Sequence, residues 1–202
     1  IKSILIQTHP NIEIVVVVDS CTDGTLSILN KYEHDERFKI ILSNSNVGGG
    51  EARNIGIENA SGEFLAFLDD DDSWSSRKIS SQLSVLQVRN DICLVGCNYI
   101  NISKGTEISK SSIPENITLE DMLYNNSLGS FSFCMTRSEH VKGLEITKSL
   151  KAAQDWELWL KILLKTKLNI LVLRDHLVYY NCSRDHPRLT TFYVEALNSR
   201  EQ

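Results

Sequence analysis

Leu68-Asp69-Asp70-Asp71-Asp72-Ser73-Trp74 closes an apolar run, Phe64-Leu65-Ala66-Phe67-Leu68, and its reading decides the fold. Four like charges in succession repel one another, so a fold that keeps them needs positive charge close by, and a divalent cation is the natural counter-ion. A solvated acidic loop is the plainer reading of any charge run. Position argues against it. Gly62-Glu63 followed by an apolar run of strand length puts the carboxylates where a buried strand surfaces, and in open α/β sheets ligands bind at that carboxyl edge.

Upstream of the acids, Glu13-Ile14-Val15-Val16-Val17-Val18-Asp19 is β-branched without alternation, the composition of a parallel strand buried on both faces. It ends in an acid. Thr22 or Asp23 then can cap a helix through 26–31, and Phe38-Lys39-Ile40-Ile41-Leu42 reads as the next strand. Asn46-Val47-Gly48-Gly49-Gly50 opens a second helix, running to about Ala60, through a turn whose glycines let backbone N–H groups approach an anion. Glycines before a helix are equally the mark of a tight turn, and neither a P-loop nor a dinucleotide fingerprint is present. The opening residues carry Ile1, Ile4 and Leu5 at helical spacing and stop at Pro10, so the sequence reads as opening within a helix, with a segment expected upstream.

Downstream, Ile79, Leu83 and Leu86 mark a helix over 77–86, and 92–100 reads as a strand. Residues 103–116 lack periodicity and are expected to form a hairpin or loop, 119–125 a short helix, and 130–135 a strand. Gln154-Asp155-Trp156-Glu157-Leu158-Trp159 begins a helix with apolar residues at 156, 159, 160 and 163. Asp155 in its first turn either complements the helix dipole or does chemistry. Strand material follows over 168–178, then a polar loop, Arg184-Asp185-His186-Pro187-Arg188, and a final helical stretch. Strands alternating with helices through about residue 100 argue an α/β domain with a mainly parallel sheet.

At 202 residues the chain is sized for one domain, and a net charge of -5 argues against nucleic acid or an anionic surface as the main partner. Its apolar stretches are far short of a bilayer span. Five scattered cysteines without a Cys-x-x-Cys pair suggest neither zinc nor a disulfide framework, and fit a reduced cytoplasmic compartment.

Together these segments resemble the family 2 glycosyltransferases of the GT-A fold, inverting sugar transferases that build bacterial surface polysaccharides. The resemblance rests on Gln7-Thr8 with Val18-Asp19-Ser20-Cys21-Thr22-Asp23-Gly24-Thr25, on Asn46-Val47-Gly48 with Ala52-Arg53-Asn54-Ile55-Gly56, on Leu68 to Trp74, and on Gln154-Asp155-Trp156-Glu157-Leu158-Trp159. It departs from the family at Val18, where the first acid of a pair is expected, and at Gln154, where an acid precedes the catalytic Asp. The family's opening strand has no counterpart.

The resemblance implies a Rossmann-like nucleotide-diphospho-sugar transferase fold with a central, mainly parallel mixed sheet flanked by helices. It implies one domain over 1–202: a nucleotide-sugar-binding half, 1–100, lacking its first strand, and an acceptor half, 101–202, with a C-terminal helix. By the same resemblance Asp155 is the catalytic base; Asp19, Arg53, Asp69 and Arg188 contact the nucleotide sugar, Asp19 at the base; and Asp71 with Asp69 holds Mg²⁺ or Mn²⁺. Asp70 is expected to point away as strand alternation would have it, and Asp72 to accept hydrogen bonds. The expected donor is a UDP-sugar and the expected acceptor a saccharide or lipid-linked saccharide. No nucleic-acid partner is expected, and the expected location is cytoplasmic, with peripheral association at the inner face of the membrane through the acceptor. The competing expectations are a non-catalytic or truncated nucleotide-sugar-binding domain and, from another class, a metal-dependent nucleotidyltransferase.

Overall fold

A computed structural model of the chain describes residues 1–183. The N-terminal part holds α1 (Lys2–Leu5), β1 (Ile14–Asp19), α2 (Thr25–Leu29), β2 (Phe38–Ser43) and α3 (Gly49–Asn59). β1 and β2 pair in parallel from Ile14↔Phe38 to Asp19↔Ser43 and form a two-stranded sheet of their own. Ile14 and Val18 are buried, but Val15, Val16 and Val17 are only half-buried, so this strand is not enclosed on both faces as its composition suggests. Among the described residues β1 has a strand partner along one edge only. Asp23 contributes to starting α2 by accepting the N–H of Thr25, while Gly24 occupies the cap position.

The remaining strands are β3 (Phe64–Ala66), β4 (Ser73–Trp74), β5 (Ile92–Ser103), β6 (Thr106–Lys110), β7 (Asn116–Ile117), β8 (Met135–Arg137) and β9 (Asn169–Asn181). They form a seven-stranded mixed sheet of order β3-β8-β5-β9-β4, with β6 on β5 and β7 on β9. Its longest ladder, β5 with β9, is parallel; the shorter ones are antiparallel. The expected hairpin is β5–β6. The helices are α4 (Lys78–Leu86), α5 (Leu119–Tyr124), α6 (Ser138–Val141) and α7 (Gln154–Thr166).

Residues 92–95 and Cys97 of β5 are buried at the centre of the core, with Ile79, Leu83 and Leu86 of α4 and Leu158, Trp159, Ile162 and Leu163 of α7. The buried stripe of α7 lies slightly round from the one its spacing suggests, because Trp156 is half-buried and donates its indole N–H to the Met122 carbonyl. The strand expected over 130–135 is instead a 3-10 turn, Phe131–Phe133, with β8 beginning only at Met135. Alternating Ser and Phe mimic strand periodicity there, but the Ser130 hydroxyl accepts the Ser132 N–H and caps the turn.

Candidate active site

The first motif, Gln7-Thr8, works as a bracket. The Gln7 amide donates to the Ser75 carbonyl at 2.7 Å and accepts the Ile79 N–H at 3.0 Å, tying the chain after α1 to the start of α4 just behind the acids.

The acids themselves form a turn closed by the Asp72 N–H on the Asp69 carbonyl at 3.1 Å. β3 stops at Ala66, so Asp70 faces solvent because it sits at a turn corner, and strand alternation has no part in it. Asp71, beside it, is also exposed. Asp72 turns inward: Oδ1 accepts the Asn181 N–H at 2.9 Å, while Oδ2 is buried without a partner. Burial, with Asp71 and Asp69 adding repulsion, pushes its pKa up to about 7.

Asp69 is the most heavily engaged of the four. Its Oδ1 accepts Arg53 Nη2 at 2.6 Å, its Oδ2 accepts the Ser130 hydroxyl at 3.1 Å, and its backbone N–H donates to the Ser132 hydroxyl at 3.0 Å. Ser130 and Ser132 therefore belong to the site, although no motif flags them; two hydroxyls on a short polar turn carry no periodic signal. The same turn is held from below by Trp74, which donates to the Ser132 carbonyl, and by fully buried Lys78, which donates to the Cys134 carbonyl and lies 4.0 Å from the Trp74 ring centre.

The glycine-rich turn does meet an anion, but an internal one. The Asp19 carboxylate accepts the Val47 N–H at 2.7 Å and the Gly48 N–H at 2.8 Å, one on each oxygen. Gly48 has φ +81°, a conformation that suits glycine. This clamp fixes the start of α3, the helix that presents Arg53.

Asp155 enters the same neighbourhood from the far end of the sequence. Ala153, at φ 58°, turns the chain into α7, and the preceding segment is fastened to α3: the Asn54 amide donates to the Ile146 carbonyl at 2.9 Å and accepts the Ile146 N–H at 2.8 Å. Burial raises the Asp155 pKa, with the negative charge of Asp69 adding to the shift and Arg53 opposing it. Gln154 joins the two sides, accepting Arg53 Nη1 at 3.1 Å. Asp19, Arg53, Asp69 and Asp155 are thus linked through α3 and the acid turn, with Asp71 on that turn; Arg188 lies outside the described residues.

Among the described residues no three His, Cys, Asp or Glu side chains converge as a metal cage. Asp69 and Asp71 are hard carboxylate donors of the kind Mg²⁺ or Mn²⁺ accepts when phosphate and water supply the other ligands, and Asp69 already accepts from Arg53 and Ser130. A carboxylate with a raised pKa beside this donor set can take a proton.

The sequence pattern described as Glycosyl transferase family 2 matches residues 1–143. The chain belongs to this family. Among family 2 relatives, TuaG of Bacillus subtilis (strain 168), a glycosyltransferase whose name assigns it provisionally to teichuronic acid biosynthesis, is 34% identical over 82% of this chain and 66% of its own length. WfgD of Escherichia coli, named as a UDP-Glc:alpha-D-GlcNAc-diphosphoundecaprenol beta-1,3-glucosyltransferase, is 33% identical over 68% of this chain and 54% of its own. The crystal structure of Staphylococcus aureus TarS 1-349 in complex with UDP superposes with a TM-score of 0.74 at 26% identity, covering 90% of this chain and 55% of that one. The family 2 chain described here therefore spans between about half and two thirds of these proteins, and the GT-A fold is shared. No helix of the described residues is long and apolar enough to cross a membrane.

Proposed function

We propose that this chain carries the donor site and catalytic base of an inverting glycosyltransferase, which moves a sugar from a UDP-sugar to a hydroxyl of a saccharide or lipid-linked acceptor during bacterial surface-glycan synthesis. The observation that carries the reading is the joining of the acid turn to the start of α7: Arg53 contacts Asp69 at 2.6 Å and Gln154, the neighbour of Asp155, at 3.1 Å.

Acceptor hydroxyls are weak acids, so attack on the anomeric carbon needs a carboxylate that receives the proton as the new C–O bond forms. Asp155 takes that proton. The bond between the anomeric carbon and the diphosphate oxygen breaks on the opposite face, its electron pair leaves with the nucleoside diphosphate, and one displacement inverts the centre. Burial favours the protonated form of Asp155, which makes its carboxylate a stronger base than an exposed aspartate. Asp71 and Asp69 would hold Mg²⁺ or Mn²⁺, which when bound supplies positive charge to the departing diphosphate. Asp19 orients α3 and, by resemblance, meets the nucleotide base; Arg53 contributes a guanidinium suited to phosphate. The UDP donors follow the names of WfgD and the TarS complex.

The test is thermal unfolding of the full chain with UDP, UDP-glucose and UDP-GlcNAc, with and without Mn²⁺, alongside transfer assays on lipid-linked saccharides. A ligand that binds only the folded state raises the midpoint. A rise that requires Mn²⁺ supports the reading; no shift with any nucleotide in either condition overturns it.

A further inference from the structure

The turn over 130–134 meets the site with its side chains and is held by its carbonyls. The Ser130 hydroxyl donates to Asp69 Oδ2, the Ser132 hydroxyl accepts the Asp69 N–H, and the Phe131 ring centre lies 4.2 Å from the Arg53 guanidinium carbon. Both members of the Arg53–Asp69 pair therefore rest on this one turn. Three successive carbonyls behind it each accept a donor from the stretch that follows the acid run. Trp74 Nε1 reaches the Ser132 carbonyl at 2.9 Å, Gln82 Nε2 the Phe133 carbonyl at 2.7 Å, and Lys78 Nζ the Cys134 carbonyl at 3.2 Å. Lys78 and Gln82 stand one turn apart on α4, beside the apolar stripe of Ile79, Leu83 and Leu86, and both are fully buried. Burial of such groups is costly: it lowers the Lys78 pKa to about 8, and Gln82, whose amide N–H groups serve the Val95 and Phe133 carbonyls, leaves its Oε1 buried without a partner. Apolar side chains would fill either position without that cost.

Resting on the donor reading above, we propose that Lys78 and Gln82 are positioning residues. With Trp74 they hold the backbone of the turn in the register that sets Ser130 and Ser132 against Asp69 and Phe131 against Arg53. A 3-10 turn of three residues has few hydrogen bonds of its own, and a slip of one carbonyl along the row of donors would take both hydroxyls off Asp69. α4 can serve as the rail because Gln7 fixes its start by accepting the Ile79 N–H. The action of the three donors on the nucleotide is indirect, through the turn.

The experiment uses the full chain, with UDP in Mn²⁺ as the calorimetric probe well below the unfolding midpoint and ligand-free thermal unfolding as the second readout. Gln82→Met, Lys78→Met and Trp74→Phe each remove one donor and keep an apolar side chain in its place, so a variant that fails to fold leaves the others to decide. Each folded variant is expected to bind UDP roughly fivefold more weakly, the scale of one hydrogen bond. A purely structural role moves the midpoint alone, so lower midpoints with unchanged UDP binding overturn the proposal. Gln82→Met, Ser130→Ala and the double variant form a cycle. If Gln82 acts through the turn, its loss weakens UDP binding less once the Ser130 hydroxyl is gone, and additive losses overturn the positioning role. A wild-type chain that binds no UDP overturns the donor reading instead. The thermal cycle of Gln82→Met with Asp69→Asn then decides the positioning role, coupled midpoint losses supporting it and additive ones overturning it.

Discussion

Asp69 and Asp155 face one site, yet the fold treats their charges in opposite ways. Asp69 is neutralised by direct contact, with a guanidinium on one oxygen and a hydroxyl on the other. Asp155 lies beside Arg53 without an ion pair to it, and desolvation is the main influence on its carboxyl. Desolvation without an ion pair raises the pKa of Asp155 and so makes its carboxylate more basic. In the proposed mechanism the acid turn holds the donor and the start of α7 accepts the proton.

Replacing Asp155 breaks the comparison most severely. Asp155→Asn is expected to lower turnover by about 10²–10⁴-fold, the range for loss of a general base, while leaving UDP affinity near wild type. Because desolvation raises the Asp155 pKa, removing its charge is also expected to raise the thermal midpoint at neutral pH, so activity and stability should move in opposite directions. A variant that retains turnover would separate Asp155 from the chemistry. In the wild-type protein, the acid limb of kcat/KM should fall above the ordinary aspartate range, since the base must be ionised and its pKa is raised.

Asp69→Asn should do the reverse. It leaves Arg53 without its ion-pair partner and costs about 2 kcal/mol of stability, the scale of a hydrogen bond between charged groups. Mn²⁺-dependent UDP binding falls with it. Calorimetry and denaturant unfolding on the same preparation measure both, and unchanged values would remove Asp69 from the binding side.

Asp72 sharpens the contrast within the turn itself. Its pKa rises from 3.8 to about 7, so between roughly pH 4 and 7 the folded chain holds a proton that the unfolded chain has released. This group therefore lowers stability as pH rises through that window, and the penalty is complete above it. Asp72→Asn, compared with wild type in EDTA, should raise the midpoint more at pH 8 than at pH 5; an equal change at both would contradict the assignment.

The smallest effect is expected at Ala153, a non-glycine residue at φ 58° immediately before α7. Ala153→Gly removes the left-handed penalty but loosens the unfolded chain, so the net gain should stay below about 1 kcal/mol. A destabilised variant would mean that the methyl group packs usefully.

Much of this was legible in the sequence because it is local. The acid run, the glycine-rich turn and the helix of Asp155 are each contiguous in sequence, and the structure keeps them as a turn, a helix start and a helix whose buried face is shifted slightly from its spacing. What was not legible depends on contacts between distant segments. Ser130 and Ser132 reach Asp69 from over sixty positions away, and their alternation with phenylalanine imitates a strand. The anion at the glycine-rich turn proved to be Asp19, which no spacing rule links to Val47 and Gly48. Gln154 reads as a weakened motif until its contact with Arg53 is seen.

All three tryptophans border this region, which gives the protein an optical readout of its own. Trp74 lies under the acid turn with the Lys78 ammonium against its ring, Trp156 directly follows Asp155, and Trp159 meets Phe131, the ring on which Arg53 rests. Tryptophan emission, excited at the red edge where tyrosine does not absorb, therefore comes from the neighbourhood of the site. A nucleotide that moves Arg53 or the acid turn would write its arrival into the fluorescence without any added label.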